Sequence, residues 1–486
     1  MSTANQILAR LADHARAQPE GIAVREPGNA TLTWAQWAAA SGALAHRLRA
    51  GIGDEEVVAL GLGNRCAFYV ALVAALLADR DVLPLSPEIG RHEIERITAR
   101  VRCGAVIGAP AFAQRITALA APRLTFDAPP DEGTPEDYDT AIQACAGSGA
   151  LLLNGLDLAA NPRLARRPLR SLDAVASNCA AAIGLRRDDL VLLSVPTHHS
   201  YGLEHGVLAP LLAGCTVEPA GEFNAELMRR RLVEAPVTVL PGVPFIFEAL
   251  SYVFERSDPP ARPRALRSAY SAGAPLPRDV SDAAERWLGV PLGQVYGTTE
   301  LGSVTFSDPR SADFHPASVG RALPGVCIHV LDRDAPRADA PLPIGEEGHV
   351  AVSAPSMLER YVDDGDEPWA DELYLTGDLG RLDARGGLTL TGRLKPLIDV
   401  GGLKVSPTEV EAVLRSHPMV RAAQVTALPV TATARRVKAV VAPAAGAAVD
   451  VEQLRRFVRE RLSPHKVPRV IEVRAARPNE ETVRCR

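Results

Sequence analysis

Tyr296-Gly297-Thr298-Thr299-Glu300 is the stretch on which the reading of this chain turns. With its lead-in Gln294-Val295 it reads as a strand ending in a glycine turn, then two hydroxyls and a carboxylate. Hydroxyls and exposed backbone N–H groups at such a turn can hold phosphate oxygens, and the carboxylate can hold Mg2+. The ring of Tyr296 can stack on a nucleobase. Taken alone, the same residues also describe a strand-to-helix turn with a threonine N-cap. Two further pieces lie downstream, Thr376-Gly377-Asp378 and Gly392-Arg393-Leu394-Lys395. An aspartate after a glycine turn can accept both hydroxyls of a ribose, although an isolated Thr-Gly-Asp is more often an ordinary turn.

Outward from these motifs, 486 residues exceed what one hydrophobic core supports, so at least two domains are expected. Hydrophobic residues make up 47% and charged residues 23%, as in ordinary globular chains. The net charge of −5 is spread over interleaved acids and bases, with no polybasic tract to bind nucleic acid. Cys66, Cys103, Cys145, Cys179, Cys215, Cys327 and Cys485 are too dispersed for a zinc site or redox pair and suit a reducing compartment. The start Met1-Ser2-Thr3-Ala4-Asn5-Gln6 lacks the pattern of a signal peptide, and the apolar run Tyr69–Leu77 is too short to span a bilayer. A cytoplasmic protein is expected.

Hydrophobic periodicity predicts helices over Trp34–Leu48, Asn64–Ala78, Leu172–Ile183 and Ala225–Glu234. Between them come short apolar strands at Val57–Leu62, Val82–Leu85, Ala105–Ile107, Leu151–Leu153, Leu190–Val195, Val237–Leu240 and Ala269–Ser271. That alternation implies a largely parallel sheet covered on both faces. From Val319 the pattern becomes short strands with turns (Cys327–Leu331, Gly348–Val352, Leu388–Leu390), as in an antiparallel sheet or small barrel. A last segment from Lys395 carries helices at Pro407–Leu414 and Val451–Leu462 and strands near Ala423–Val425 and Val437–Val441.

In their order and distances the motifs resemble the adenylate-forming superfamily of acyl- and aryl-CoA ligases, peptide-synthetase adenylation domains and luciferase. The match extends through Asp378–Asp383, Leu388–Arg393, Gly401-Gly402-Leu403-Lys404-Val405-Ser406-Pro407, Glu409-Val410-Glu411 and Leu462–Arg469. The resemblance implies a large α/β N-terminal domain (1–394), with helix-flanked parallel sheets and a small β-barrel-like subdomain. It also implies a small mobile α+β domain (395–486) hinged at Lys395. The implied activity is an AMP-forming ligase: ATP and Mg2+ activate a carboxylic acid as an acyl-adenylate, and the acyl group passes to the thiol of CoA or of a phosphopantetheine carrier protein.

The same resemblance distributes the site. Thr298, Thr299 and Glu300 take the α-phosphate and metal; Gly273, Ala274, Pro275, Tyr296 and Gly297 flank adenine; Asp378, supported by Arg393, holds the ribose. His199 in Pro196-Thr197-His198-His199-Ser200-Tyr201-Gly202-Leu203 lines the acyl pocket with Tyr201, Val243, Ser271 and Gly297. Gly401 and Gly402 border the thiol channel, and their tolerance of positive φ suits it. Adjacent histidines can suggest a metal, but no third ligand lies at suitable spacing. Tyr201 among small residues suits a compact aromatic or short acyl acid.

Two departures stand against this pattern. Family members carry a Ser/Thr/Gly-rich phosphate loop ending in Pro-Lys; here the stretch is Asn154-Gly155-Leu156-Asp157-Leu158-Ala159-Ala160-Asn161-Pro162-Arg163, without hydroxyls or central glycines. The family's C-terminal Gly-Lys falls on Glu481-Thr482, leaving Lys404, Lys466, Arg484 or Arg486 as stand-ins. These departures leave open a second function, a non-adenylating homologue that binds an acyl group or nucleotide, acts as a regulatory partner, or uses a preactivated acyl group.

Overall fold

The computed structural model describes the chain except residues 1–5, 29, 121, 123, 127–132, 157–161, 222, 258–260, 363–367 and 475–486. The larger part is built on two mainly parallel sheets. One has nine strands in the order 321–322, 302–307, 292–298, 268–271, 239–242, 190–193, 216–219, 22–25, 31–33. Its six central strands run parallel, and antiparallel hairpins close both edges. The second has seven strands, ordered 360–361, 162–168, 150–156, 82–84, 57–61, 103–108, 124–126.

Strands such as Val57–Gly61 and Leu190–Leu193 are buried at every position, which is why they read as unbroken apolar runs. Helices Trp34–Gly51 and Cys66–Leu77 pack between the sheets in a core centred on Trp34, Trp37, Phe68 and Tyr69. Thr33 fixes the start of the first of these: its side chain accepts from Gln36 N while Gln36 returns a bond to Thr33 N.

The strands expected after Val319 form a five-stranded antiparallel sheet from Cys327–Leu331, Gly348–Ser353, Trp369–Ala370, Leu373–Leu382 and Leu388–Arg393. Beyond it, residues from Ile398 to Ile471 gather around a core of their own. That unit is a hairpin (Ile398–Val400 and Leu403–Val405), a three-stranded sheet (Val420–Pro429, Arg435–Pro443, Val470–Val473) and helices Pro407–Arg415 and Val451–Arg459. The fold is therefore a large α/β N-terminal domain with a small C-terminal one.

One local expectation is corrected. Thr298 caps no helix: Leu292–Thr298 turns directly into the antiparallel strand Gly302–Ser307. Gly297 is not the turn either, but lies inside the first strand at a bulge next to Tyr296.

Candidate active site

The hairpin Leu292–Ser307 ends the run of parallel strands, and its turn carries Thr299 and Glu300. Tyr296, buried beneath it, donates its phenolic hydrogen to Asp378 Oδ2 at 2.8 Å. Asp378 sits opposite Arg393 in the antiparallel pairing of Leu373–Leu382 with Leu388–Arg393, and Arg393 Nη1 reaches Asp378 Oδ1 at 2.7 Å. Two residues from separate motifs, Tyr296 and Arg393, thus converge on the carboxylate of a third. Each carboxylate oxygen carries a second acceptor site, so a vicinal diol can still be received.

The loop holding Asp378 is fixed from behind. Gly377 N donates to His349 Nε2 at 2.9 Å, and Asp378 N donates to Thr376 Oγ1 at 3.1 Å. As an acceptor at Nε2, His349 has to be neutral; burial, aided by the charge of Arg393, brings its pKa down to about 4. Sequence reading missed His349, because a histidine in an alternating strand carries no local signal of such a partner.

Glu300 is almost fully buried. Tyr361 Oη donates to its Oε1 at 3.1 Å and, its one hydrogen so used, accepts from Tyr374 Oη at 2.6 Å. Burial pushes the Glu300 pKa up, against hydrogen bonds from its own amide, Thr298 and Tyr361. Arg163 lies over the Tyr361 ring, 3.9 Å from its centre. Gly155 closes the other side: a Cβ there would stand 2.3 Å from Glu300 Oε1. Residues 157–161, the body of the altered phosphate loop, lie outside the described residues, as do Glu481, Thr482, Arg484 and Arg486. Around the gap, Ala150–Leu156 and Pro162–Pro168 pair antiparallel, Gly155 opposite Arg163.

The residues expected to line the acyl pocket come from three further segments. His199 precedes the short helix Ser200–Leu203, its ring 4.5 Å from that of His198. Tyr201 packs 4.8 Å from His205 and directs its hydroxyl to Tyr270 O at 3.5 Å. Ser271 ends the strand Ser268–Ser271, buried, its hydroxyl without a partner among the described residues. Gly273 and Pro275 follow, exposed, with Ala274 half-buried between them.

Across from them stands the small domain. Gly401 (φ 64°) and Gly402 (φ 91°) make the two-residue turn of a hairpin, where both positions need positive φ. A Cβ on Gly402 would lie 2.8 Å from Val243 Cγ1, and one on Gly273 would lie 3.7 Å from the same atom. Lys395 is exposed in the bend between Arg393 and Ile398.

Neither internal lysine reaches the hairpin. Lys404 pairs with Asp399 at 2.8 Å. Lys466 is buried between Glu93 of the large domain (2.6 Å) and Glu409 of the small one (2.8 Å). Burial pulls the Lys466 pKa down, but Glu409 and Glu93 overcome it and hold it above its ordinary value. Glu93 also accepts from Gly90 N at 3.0 Å and from Ser463 N at 2.7 Å. His199 and His465 sit in the field of Lys466; burial first, then that charge, lowers them to about 4 and about 3.

Cys179, Glu204 and His205 bring a thiol, a carboxylate and an imidazole within 4.8 Å of one another. Arg167, Ser200 and Ser303 already occupy both oxygens of Glu204, so the cluster is a hydrogen-bonded network and not a metal cage.

Among known proteins, the AMP-binding enzyme model matches residues 11–146 and 169–362, and the AMP-binding enzyme C-terminal domain model matches 409–482. The gap inside the first match, 147–168, contains the altered loop. The chain is 30% identical over 479 residues to a feruloyl-CoA synthase of an Amycolatopsis species, covering 94% of this chain and 93% of that one. A mitochondrial malonate–CoA ligase of Bos taurus is 27% identical over 457 residues (85% and 77%). Among solved structures, a malonyl-CoA ligase in a ternary product complex with methylmalonyl-CoA and AMP superposes with TM-score 0.80 at 29% identity, covering 96% and 97%. An amide bond synthetase of Marinactinospora thermotolerans gives 0.81 at 25% (97% and 96%). With both parts of the chain matched and a relative followed along nearly its whole length, this chain belongs to the AMP-binding enzymes of the adenylate-forming superfamily.

Proposed function

We propose that this protein activates a small aromatic or short acyl acid with ATP as an acyl-adenylate and transfers the acyl group to CoA. The observation that carries the reading is the convergence of Tyr296 and Arg393 on Asp378 beside a turn that presents Thr299 and Glu300. In this reading Asp378 receives the ribose hydroxyls, and Thr298 and Thr299 meet the α-phosphate. The acid lies against His199, Tyr201, Val243, Ser271 and Gly297, so that its carboxylate attacks the α-phosphorus in line and pyrophosphate leaves.

Glu300 with Thr299 offers the hard oxygen donors that Mg2+ takes. The raised pKa of Glu300 is the state that a bound cation would reverse. Such an ion supplies charge neutralisation to the phosphates. The positive-φ turn Gly401–Gly402, against Val243 and Gly273, is the approach for the CoA thiol. Lys395 is the hinge about which residues 395–486 move relative to 1–394. A compact acid fits because Tyr201, His205 and Tyr270 pack ring against ring on the acid side.

A relative named for feruloyl-CoA and others named for malonate supply the first acids to test. The alternative of a purely binding homologue is not favoured, because Asp378 and Glu300, the carboxylates this reading gives to ribose and metal, are each held by a buried tyrosine. Acid-dependent ATP–pyrophosphate exchange with ferulate, malonate and short aliphatic acids tests the reading. Exchange with at least one acid, followed by CoA thioester formation, is expected. No exchange with any acid and no ATP binding by calorimetry would refute it.

A further inference from the structure

Beneath the hairpin lies a second charged assembly that the proposed chemistry does not use. Arg167, on the strand Pro162–Pro168, and Glu204 are 0% and 1% exposed, and Arg167 Nη1 meets Glu204 Oε1 at 2.6 Å. The same oxygen accepts from Ser200 Oγ at 2.6 Å. The other oxygen, Oε2, accepts from Ser303 N at 3.0 Å and Ser303 Oγ at 2.9 Å. His205 Nε2 contacts Ser303 Oγ at 3.1 Å, and its Nδ1 contacts Tyr270 Oη at 3.1 Å. Ser303 already gives its hydroxyl hydrogen to Glu204, so it accepts from His205, and Tyr270 then donates to Nδ1.

A buried ion pair is a poor device for stability, since apolar side chains of similar volume often do as well or better. This one is also incompletely satisfied, with Arg167 Nη2 lacking a hydrogen-bond partner among the described residues. What the carboxylate provides is geometry. Ser200 directly follows His199 on the acid side, and Ser303 begins one residue beyond the turn on the nucleotide side. Gly302 lets the bracket sit against the hairpin backbone: a Cβ there would be 2.7 Å from Arg167 Nη2 and 2.9 Å from Glu204 Oε1. The π-helical turn Glu204–Leu208, a distortion frequent at functional sites, presents both Glu204 and His205 to this contact.

We propose that Glu204, held by Arg167, is a positioning residue that fixes the spacing between the His199 segment and the Thr298–Gly302 turn, and so between acid and nucleotide. The proposal rests on the adenylation reading above. It attributes to Glu204 an effect on rate more than on affinity, because each substrate keeps its own contacts while their mutual alignment loosens.

The test is single-turnover acyl-adenylate formation by the full chain at saturating ATP, Mg2+ and whichever of ferulate or malonate the wild type activates faster. Ser200→Ala and Ser303→Ala should each slow the step about tenfold, the scale of a small misalignment, with amplitude unchanged. The double variant should be no slower than the worse single one, because the two hydroxyls hold opposite oxygens of one carboxylate and act as a unit, the backbone bond from Ser303 N persisting in every variant. Losses that multiply in the double variant, or a lower amplitude at the native rate, would overturn the proposal. Arg167→Met/Glu204→Leu, if it keeps the native melting temperature, should show the same slowing; a native rate would count against it. Hydrogen exchange needs neither acid nor folding of that variant. Ser200→Ala should raise exchange across residues 300–305, and unaltered exchange there overturns the bracket. If the wild type activates neither acid, the adenylation reading fails while the exchange result still decides the bracket.

Discussion

Tyr296 and Asp378 lie 82 residues apart and meet at 2.8 Å, phenol to carboxylate. Arg393 joins them from the neighbouring strand, so the orientation of the aspartate is fixed by two partners within the protein. This convergence has a graded consequence for mutation. Asp378→Asn trades one of the two acceptor oxygens for an amide donor and leaves Arg393 without its counter-charge; if Asp378 receives the ribose as proposed, kcat/KM for ATP should fall by about 10²-fold. Tyr296→Phe removes one neutral donor to a carboxylate that stays ionised, and the loss should be about tenfold at most. Steady-state kinetics with ATP varied would check the order. Equal losses in the two variants would mean that Asp378 acts only as a structural partner of Tyr296.

Gly402 offers a way to separate the two half-reactions. Its φ of 91° and the 2.8 Å approach of Val243 Cγ1 to a would-be Cβ make Gly402→Ala both strained and crowded. The strain costs about 1–2 kcal/mol and falls in the turn that the proposed function gives to the thiol. Acyl-adenylate should therefore accumulate at a near-native rate while CoA thioester formation falls sharply, as chromatography of quenched reactions would show. Adding Val243→Ala relieves the crowding but not the backbone strain, so rescue should be partial.

Much of this was legible in the chain. Fully buried strands such as Leu190–Leu193 and Val239–Gly242 announce themselves as apolar runs, and Gly401–Gly402 reads directly as a turn needing positive φ. The turn after Thr298 was not legible, because strand-to-helix and strand-to-strand turns use the same small and hydroxylated residues. The residues that support the site were invisible for a related reason. His349, Tyr361 and Glu204 acquire their roles from partners 28, 61 and 99 residues away, and nothing in their neighbours distinguishes them from ordinary strand or helix positions.

Glu93 ties the two domains in this arrangement through Lys466 and Ser463. Burial alone would raise its pKa, but Lys466 and the hydrogen bonds from Ser463 and Gly90 leave it lowered. The tie is therefore present above the ordinary carboxylate range and is lost as pH falls through the depressed value. Glu93→Gln keeps the shape and removes the charge, leaving Lys466 with Glu409 alone. Because it breaks half of a buried charge cluster, it should destabilise the docked arrangement by several kcal/mol. Limited proteolysis around residues 394–398 should speed up in the variant. Unchanged cleavage would show that the seam is held elsewhere, for instance where Glu248 accepts from Thr431 and Ala432 N.

Acidification should weaken the fold well before ordinary carboxylates titrate. His199, His205 and His349 are lowered to about 4 and His465 to about 3, in each case chiefly by burial. A histidine with a depressed folded value takes up its proton more readily when unfolded. The stability it permits is complete above about 6.5, the unfolded value, and drains as pH falls toward the folded one. Asp173, raised to about 6 by burial, and Glu300, raised likewise, work in the opposite sense over part of this window, but the four histidines outnumber them. Urea midpoints should therefore drop steadily from pH 7 to pH 5. His349→Gln isolates one contribution, since an amide oxygen can accept from Gly377 N without ever taking a proton. In that variant the fall should be shallower, and ATP affinity at pH 5 should be retained better than in the wild type. A variant with the wild-type slope would show that His349 is not neutral in the folded state, and the assignment of Gly377 N as its donor would go with it.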